Sequence, residues 1–356
     1  MKDIFNLKNS QIILNDDDDI KRVYIELTSA CNFNCKMCFK NAFTEKDGFM
    51  DKRTLSNLKK SLTSLPKLKE VVLGGIGEPL IHNDLKDIVT FLKEELKVYV
   101  ILATNGYLLE KFSDFFLKKQ LDNIVISVDT TDIGHLSENI TYKTIKTLIE
   151  NRKRLKLDKP VISIEVVIDR FSLKDLTETV KKFAKIGVKD VIISNLLPTN
   201  MAFIDRTLYP SEDKEILKDL LKVATGNMSM TLPYFSIKTE RKCNFIDKKS
   251  TVIRWDGGVA PCYRFLHSSK EFVLGREKTI YTHTFGNVNS ENLLDIWNKR
   301  DYKWFRFTVE NALYPSCIDC NFNDSCSFVK DTEMDCWGLS PSCADCLWSR
   351  NVIICP

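Results

Sequence analysis

Three cysteines stand within eight residues, in Cys31-Asn-Phe-Asn-Cys35-Lys-Met-Cys38. Thiolates this close can wrap one small metal centre. Structural zinc takes four closed ligands, usually as paired CxxC units. No fourth thiol and no histidine lies nearby, so one coordination position stays open. Iron–sulfur clusters are held by thiolates, and an iron lacking a protein thiolate can bind another molecule. The plainer alternatives are three unliganded thiols, or zinc completed from afar; the spacing and the position after a strand weigh against both. Nine further cysteines follow late in the chain: Cys243, Cys262, Cys317, Cys320, Cys326, Cys336, Cys343, Cys346 and Cys355. Cys317/Cys320 and Cys343/Cys346 form two CxxC pairs that would also suit structural zinc.

Other candidate groups sit where apolar runs end. Gly74-Gly75-Ile76-Gly77-Glu78-Pro79 offers bare backbone and a carboxylate, and Thr104-Asn105, Ser127 and Asp129 end two further runs. Glycine lets another group approach the backbone closely. Turn chemistry is the alternative for each of these. Glu165 interrupts an apolar run, and a buried carboxylate needs a partner. Asn195 is similar. His82, His135, His267, His283, Arg254, Trp255, Asp256, Tyr263 and Arg264 suggest no role by position alone.

The elements that must position these groups are legible as an alternation. Apolar, β-branched runs at 23–28, 70–75, 98–105, 123–129, 161–168 and 189–197 predict strands. Segments with helical spacing at 55–65, 85–96, 108–119, 141–155 and 173–187 fall between them. Continuous apolar strands alternating with amphipathic helices imply parallel βαβ units. Six such units predict an α/β fold, a partial (β/α)6 TIM-like barrel, whose active site belongs at the C-terminal strand ends. A further helix is expected at 211–226, with Ser211 as its N-cap. Beyond it the periodicity fades into a small, irregular, cysteine-rich region of the kind that metals hold together. The expected division is an N-terminal segment 1–21, a core 22–238 and a cysteine-rich domain 239–356.

Composition narrows the function classes. A net charge of +4 without a basic, aromatic-laced stripe gives no case for nucleic acid. The acidic run Asp16–Asp19 reads as a solvated turn. No apolar stretch is long enough to span a membrane. With no signal-like N-terminus, a cytoplasmic location is expected, where thiols stay reduced and twelve cysteines point to metal or redox chemistry.

The CxxxCxxC loop after a first strand resembles that of the radical S-adenosylmethionine (SAM) enzymes. The resemblance implies that Cys31, Cys35 and Cys38 ligate a [4Fe–4S] cluster whose fourth iron takes the amino and carboxylate groups of SAM. It implies adenine contact at Met37, and contact with the SAM amino group at Gly74, Gly75, Gly77 and Glu78. The GGIGEP stretch is one residue longer than the compact GGEP form. Thr104, Asn105, Ser127 and Asp129 resemble positions near the SAM carboxylate and ribose, and Glu165 and Asn195 are possible substrate or SAM contacts. Reductive cleavage of SAM to a 5′-deoxyadenosyl radical would follow.

The later cysteines resemble the SPASM extension, whose pattern implies two auxiliary [4Fe–4S] clusters. Here Lys330 stands where that pattern has a cysteine, so either a tail cysteine supplies the missing ligand or one cluster has an incomplete or altered set. The expected partition joins Cys243 and Cys262 with Cys336. It joins Cys317, Cys320 and Cys326 with Cys343, Cys346 or Cys355. Trp337 and Trp348 are expected to shield the clusters. The combination of YIELTSACNFNCKMC, GGIGEPLIH, NLLP and PSCADCLW looks like the radical SAM maturases of tungsten-containing aldehyde ferredoxin oxidoreductases. The implied partners are a protein or peptide substrate, a tungstopterin oxidoreductase among them, and a ferredoxin or flavodoxin donor. Alternatives are a sulfatase-maturase-like or ribosomal-peptide maturase and, outside enzymes, an iron–sulfur scaffold or electron carrier. A carrier needs no SAM pocket, which the GGIGEP and SVD strand ends suggest.

Overall fold

The computed structural model describes residues 2–128, 139–211, 215, 218, 228–238 and 240–354. The expected helix at 211–226, His135, Asp129 and Cys355 therefore lie largely or wholly outside the described residues.

The six expected strands form in chain order as β3 (Arg22–Ile25), β4 (Glu70–Leu73), β5 (Tyr99–Thr104), β6 (Asn123–Val128), β7 (Val161–Ile168) and β8 (Asp190–Asn195). All neighbours are parallel. Such pairing requires crossovers. Helices supply them: α1 (Lys52–Thr63), α2 (Leu85–Thr90), α3 (Ser113–Lys119), α4 (Ile140–Arg154) and α5 (Leu173–Ile186). Their local causes are ordinary. Asp51 caps α1 by accepting from the Thr54 amide at 2.7 Å, and Asn139 caps α4 at the Thr141 amide. Gly187, at φ 108°, closes α5 in a conformation that favours glycine.

Both faces of the strands are buried, which explains their unbroken apolar character. Val23, Ile25, Val71, Leu73, Val100, Leu102, Ile124, Ile126, Ile164 and Val166 pack outward against helix residues such as Leu58, Leu62, Ile88 and Val180. Tyr24, Val72, Ile101 and Val125 form an inner layer, with Ile192 against it.

The cysteine-rich region does not stand apart from this sheet. After β9 (Ser229–Thr231), strand β10 (Ser250–Ile253) pairs in parallel with β3, Ser250 facing Arg22 and Ile253 facing Ile25. β11 (Val259–Ala260) adds an antiparallel edge, giving nine strands in the order β11-β10-β3-β4-β5-β6-β7-β8-β9. Phe245, Tyr263 and Leu266 fill the inner layer beside Tyr24. Residues 2–21 are also structured. β1 (Lys2–Asn6) and β2 (Gln11–Asn15) make a hairpin, and Phe5 stacks on Trp304 at 4.4 Å. The acidic run is not simply solvated: Asp16 accepts from Lys303, and Asp17 accepts from the Trp297 indole and pairs with Asn298. These contacts pin the helix Arg300–Glu310 to the barrel.

Candidate functional site

The strand ends converge on one mouth. The loop after β3 is tied down by Thr28, whose hydroxyl donates to the Gly48 carbonyl, and by the Ser29 amide, which donates to the same oxygen. Farther along, Asn41 Nδ2 donates to the Cys35 carbonyl and the Cys38 amide to that same carbonyl. The three thiols face one another closely enough to interact. Burial raises the Cys38 thiol above its ordinary range, and the charges of Cys35 and Cys31 add to it. Cys31 Sγ accepts from the Phe33 amide at 3.4 Å and from Asn105 Nδ2 at 3.7 Å. Asn105 thus reaches across from the end of β5 to the cysteine loop. Met37 is half-buried between Cys35 and Cys38.

The glycines act by close approach. A Cβ on Gly77 would collide with the carbonyl oxygens of Thr28 and Ala30, and one on Gly74 would press on Ala103. The Glu78 amide donates to the Ala30 carbonyl at 2.8 Å. Glu78 itself is 2% exposed. It accepts from the Leu80 amide, the Thr104 hydroxyl and the Asn105 amide. Burial raises its carboxyl despite these donors. Glu78 and Thr104 are therefore braces between the ends of β4 and β5. Ser127 is exposed at the end of β6. Glu165 pairs in register with it and is pushed up to about 7 by burial. Asn195 has a structural role through its amide nitrogen. Its Nδ2 donates to the carbonyls of Tyr234 and Val352, at 3.1 and 3.0 Å, so it clamps the tail to β8.

None of the eleven described cysteines is in a disulfide. Eight of them fall into two groups of four, partitioned differently from the sequence expectation. Cys243, Cys262, Cys343 and Cys346 line one cavity, together with Phe245, Phe305, Tyr314 and Trp348. Burial pushes Cys243 up to about 12, with Cys346 adding to it. Cys317, Cys320, Cys326 and Cys336 form the second group: Cys317 interacts with Cys336 and Cys326, and Cys336 with Cys326 and Cys320. Cys336 therefore belongs with Cys317, and both Cys343 and Cys346 belong with Cys243. A chain-order pattern cannot reveal this exchange, because it is made by loop folding. It also separates the two CxxC pairs that a zinc site would have joined.

Among the described residues, no three His, Cys, Asp or Glu side chains are gathered as a single-ion site. Sulfurs about one zinc lie within roughly 4 Å of each other, given Zn–S bonds of about 2.3 Å. Thiolates are also the ligands of multi-atom iron–sulfur centres. The donor chemistry, three thiols at the mouth and four in each later group, agrees with that.

Several polar groups escaped the sequence reading. Glu26, wholly buried just past the end of β3, accepts from His267 Nε2 at 2.9 Å. His267 Nδ1 meets Glu45 at 3.0 Å, and Arg254 also pairs with Glu45. The signal was present: Glu26 is a carboxylate inside an apolar run, the same feature that marked Glu165. His82 is structural, its Nε2 bonded to the Met50 carbonyl. Trp348 lines the first cysteine cavity, but Trp337 is 63% exposed and shields little.

Residues 25–183 match the model of the radical SAM superfamily, and residues 243–321 match the SPASM iron–sulfur cluster-binding domain. Over 350 residues the chain is 40% identical to a tungsten-containing aldehyde ferredoxin oxidoreductase cofactor-modifying protein of Pyrococcus furiosus, covering 95% of this chain and 97% of that protein. It is 25% identical to the radical SAM cyclopropyl synthase TigE of Paramaledivibacter caminithermalis, over 87% of this chain and 67% of the relative. Among solved structures, anSMEcpe with bound AdoMet superposes with a TM-score of 0.59 at 18% identity, covering 86% of this chain and 85% of the other. Streptococcus suis SuiB bound to precursor peptide SuiA gives 0.57 at 16%, covering 91% and 75%. At these identities the structural likeness speaks for the fold.

Proposed function

The chain belongs to the radical SAM family, with a SPASM iron–sulfur region behind its barrel, and on that premise we propose a division of labour among its residues. The enzyme uses SAM and [4Fe–4S] clusters. Cys31, Cys35 and Cys38 hold the SAM-binding cluster. When bound, that cluster supplies the electron that cleaves SAM to methionine and a hydrogen-abstracting 5′-deoxyadenosyl radical. The observation carrying this assignment is the Asn105 bridge from Cys31 to the Glu78–Thr104 brace, which joins the cysteine loop to the neighbouring strand ends.

In this reading Gly74, Gly75 and Gly77 present bare backbone to the SAM amino group. Glu78 and Thr104 fix that backbone, and Asn105 orients the Cys31 sulfur. Met37 lies against the adenine. Ser127, and Asp129 beyond it, take ribose or carboxylate oxygens, and Glu165 faces SAM or substrate from β7. Eight of the nine later cysteines supply the auxiliary clusters, four in each of the two described groups; Cys355 lies outside the described residues.

The proposed target is a tungsten-containing aldehyde ferredoxin oxidoreductase or its tungstopterin cofactor, supported by the cofactor-modifying role for which the 40% identical relative is named. A ferredoxin- or flavodoxin-type donor in the cytoplasm would supply the electrons; no described helix is long and apolar enough to cross a membrane. The second reading, a peptide maturase, draws on the TigE similarity. Anaerobic reconstitution followed by dithionite and SAM should yield 5′-deoxyadenosine, and Cys35→Ala should abolish it while the auxiliary iron remains. Full iron loading with no 5′-deoxyadenosine would overturn the assignment. Incubation with the tungsten oxidoreductase should change the mass of that protein or its cofactor; a change on a precursor peptide alone would favour the second reading.

A further inference from the structure

Between the two cysteine groups lies a set of charges that neither group needs as a ligand. Arg264, Glu271, Lys278 and Asp345 are all at most 5% exposed. Arg264 bonds to Glu271 and meets Asp345 at 3.2 Å. Lys278 Nζ meets the other Asp345 oxygen at 3.1 Å and donates to the Val329 carbonyl. Two cations and two carboxylates leave the set neutral, but burying them all costs several kcal/mol per ion before pairing, on the order of what the pairing returns. Apolar side chains would stabilise the fold as well. The arrangement calls for another reason.

Position supplies one. Asp345 lies between Cys343 and Cys346 in sequence, and Arg264 lines the first cysteine cavity two residues after Cys262. Arg264 acts electrostatically on Cys346. On the other side, Asp345 and Lys278 both act on Cys317 of the second group. Among the described residues, Arg264 Nη1 is buried with no hydrogen-bond partner while the side chain borders that cavity. A buried donor without a partner is expensive. A sulfur of a bound centre would satisfy it.

We propose that the Arg264–Asp345–Lys278 bridge, completed by Glu271, sets the reduction potentials of both auxiliary clusters together, Arg264 donating an N–H to the first. This rests on the cluster reading above. Four thiolates give a [4Fe–4S] centre net negative charge in either working state, and reduction adds more. Fixed cations beside it favour the reduced form, and fixed anions disfavour it, most strongly where water is excluded. Because Asp345 meets cations on both sides, it is a positioning residue shared by two centres.

The test is a redox titration of the reconstituted holoenzyme followed by EPR, with iron content measured first. Lys278→Met removes a cation and should lower both auxiliary midpoint potentials. Asp345→Asn removes an anion and should raise both. Glu271→Gln, whose carboxylate accepts from Arg264 beside the first group, should raise the first-group potential more than the second. A merely structural role would cost iron or broaden signals without shifts of opposite sign. Normal iron with unmoved potentials, or shifts of the same sign in Lys278→Met and Asp345→Asn, would overturn the proposal. If Asp345→Asn loses iron, Lys278→Met and Glu271→Gln give the same opposed pair and decide it alone. Wild-type protein that binds no auxiliary iron would instead sink the cluster reading itself.

Discussion

The two cysteine groups use the same ligand chemistry in opposite settings. The first, Cys243–Cys262–Cys343–Cys346, is part of the main apolar core, and its ligands flank β10 and β11 of the barrel sheet. The second, Cys317–Cys320–Cys326–Cys336, hangs on short irregular turns, with Cys336 exposed and Phe322 75% exposed beside it. A centre in the first group is continuous with the barrel. A centre in the second is held mainly by its own loops and by the ion bridge to Asp345. The same four thiolates can therefore stabilise a whole fold or a local surface module, depending on what the surrounding backbone already packs against.

The largest expected effect follows from that contrast. Structural metal sites contribute on the order of 10 kcal/mol to folds that depend on them. Cys346→Ala should lose about four iron per chain and lower the thermal unfolding midpoint strongly, because the cavity it opens lies in the main core. Cys336→Ala should lose a similar amount of iron with a much smaller thermal effect. Equal thermal losses would erase the distinction between the groups. A second, smaller effect is kinetic. Under a chelator or ferricyanide, iron should leave the exposed second group first, seen as a two-phase loss of absorbance in wild type. Cys336→Ala should remove the fast phase and leave the slow one.

The barrel was legible because each strand is buried on both faces and each helix carries one apolar stripe. Val161–Ile168 and Leu173–Ile186 could hardly be anything else. The mouth was legible through spacing: CxxxCxxC and GGIGEP announce close backbone approach and open coordination. The cysteine partition was not, since Cys336 and Cys343 are seven residues apart and separate only through the turn between them. Nor were Glu26–His267 and Arg264–Asp345, whose partners lie 241 and 81 residues apart. Pairing at that range leaves no periodicity to read. Asn195 was legible as an unusual polar residue but not as a clamp, because its partner is the backbone of the tail.

Shielding offers a gentler probe of the same contrast. Trp348 lines the first cavity and is partly buried, so Trp348→Ala should cost about 2 kcal/mol, somewhat below the 3–5 kcal/mol typical of a fully buried aromatic. Urea denaturation can measure it. Trp337→Ala, on the open second group, should stay within about 0.5 kcal/mol, the usual range for surface changes.

The smallest effect is one of pH, and it acts on one side only. His267 ties the loop after Cys262 to Glu26 at the end of β3. Burial disfavours its charge, but the hydrogen bond to Glu26 and that carboxylate's charge, and then the hydrogen bond it donates to Glu45, outweigh burial and the opposing Arg254; the imidazole is raised above its ordinary 6.5. Both ring nitrogens face carboxylates, so the charged form satisfies both. A raised folded value means that the fold binds a proton which the unfolded chain releases above about 6.5. The contribution is therefore complete below that pH and is lost as pH rises through the folded value. A tenfold difference in proton affinity between folded and unfolded chain is worth about 1.4 kcal/mol. Iron loss from the first group should accelerate modestly as the pH rises above the ordinary histidine value of about 6.5, while loss from the second stays flat. His267→Gln, which keeps one donor, should make the first-group rate insensitive to pH. A parallel acceleration in both groups would place the pH effect on the iron centres themselves rather than on the Glu26–His267 tie.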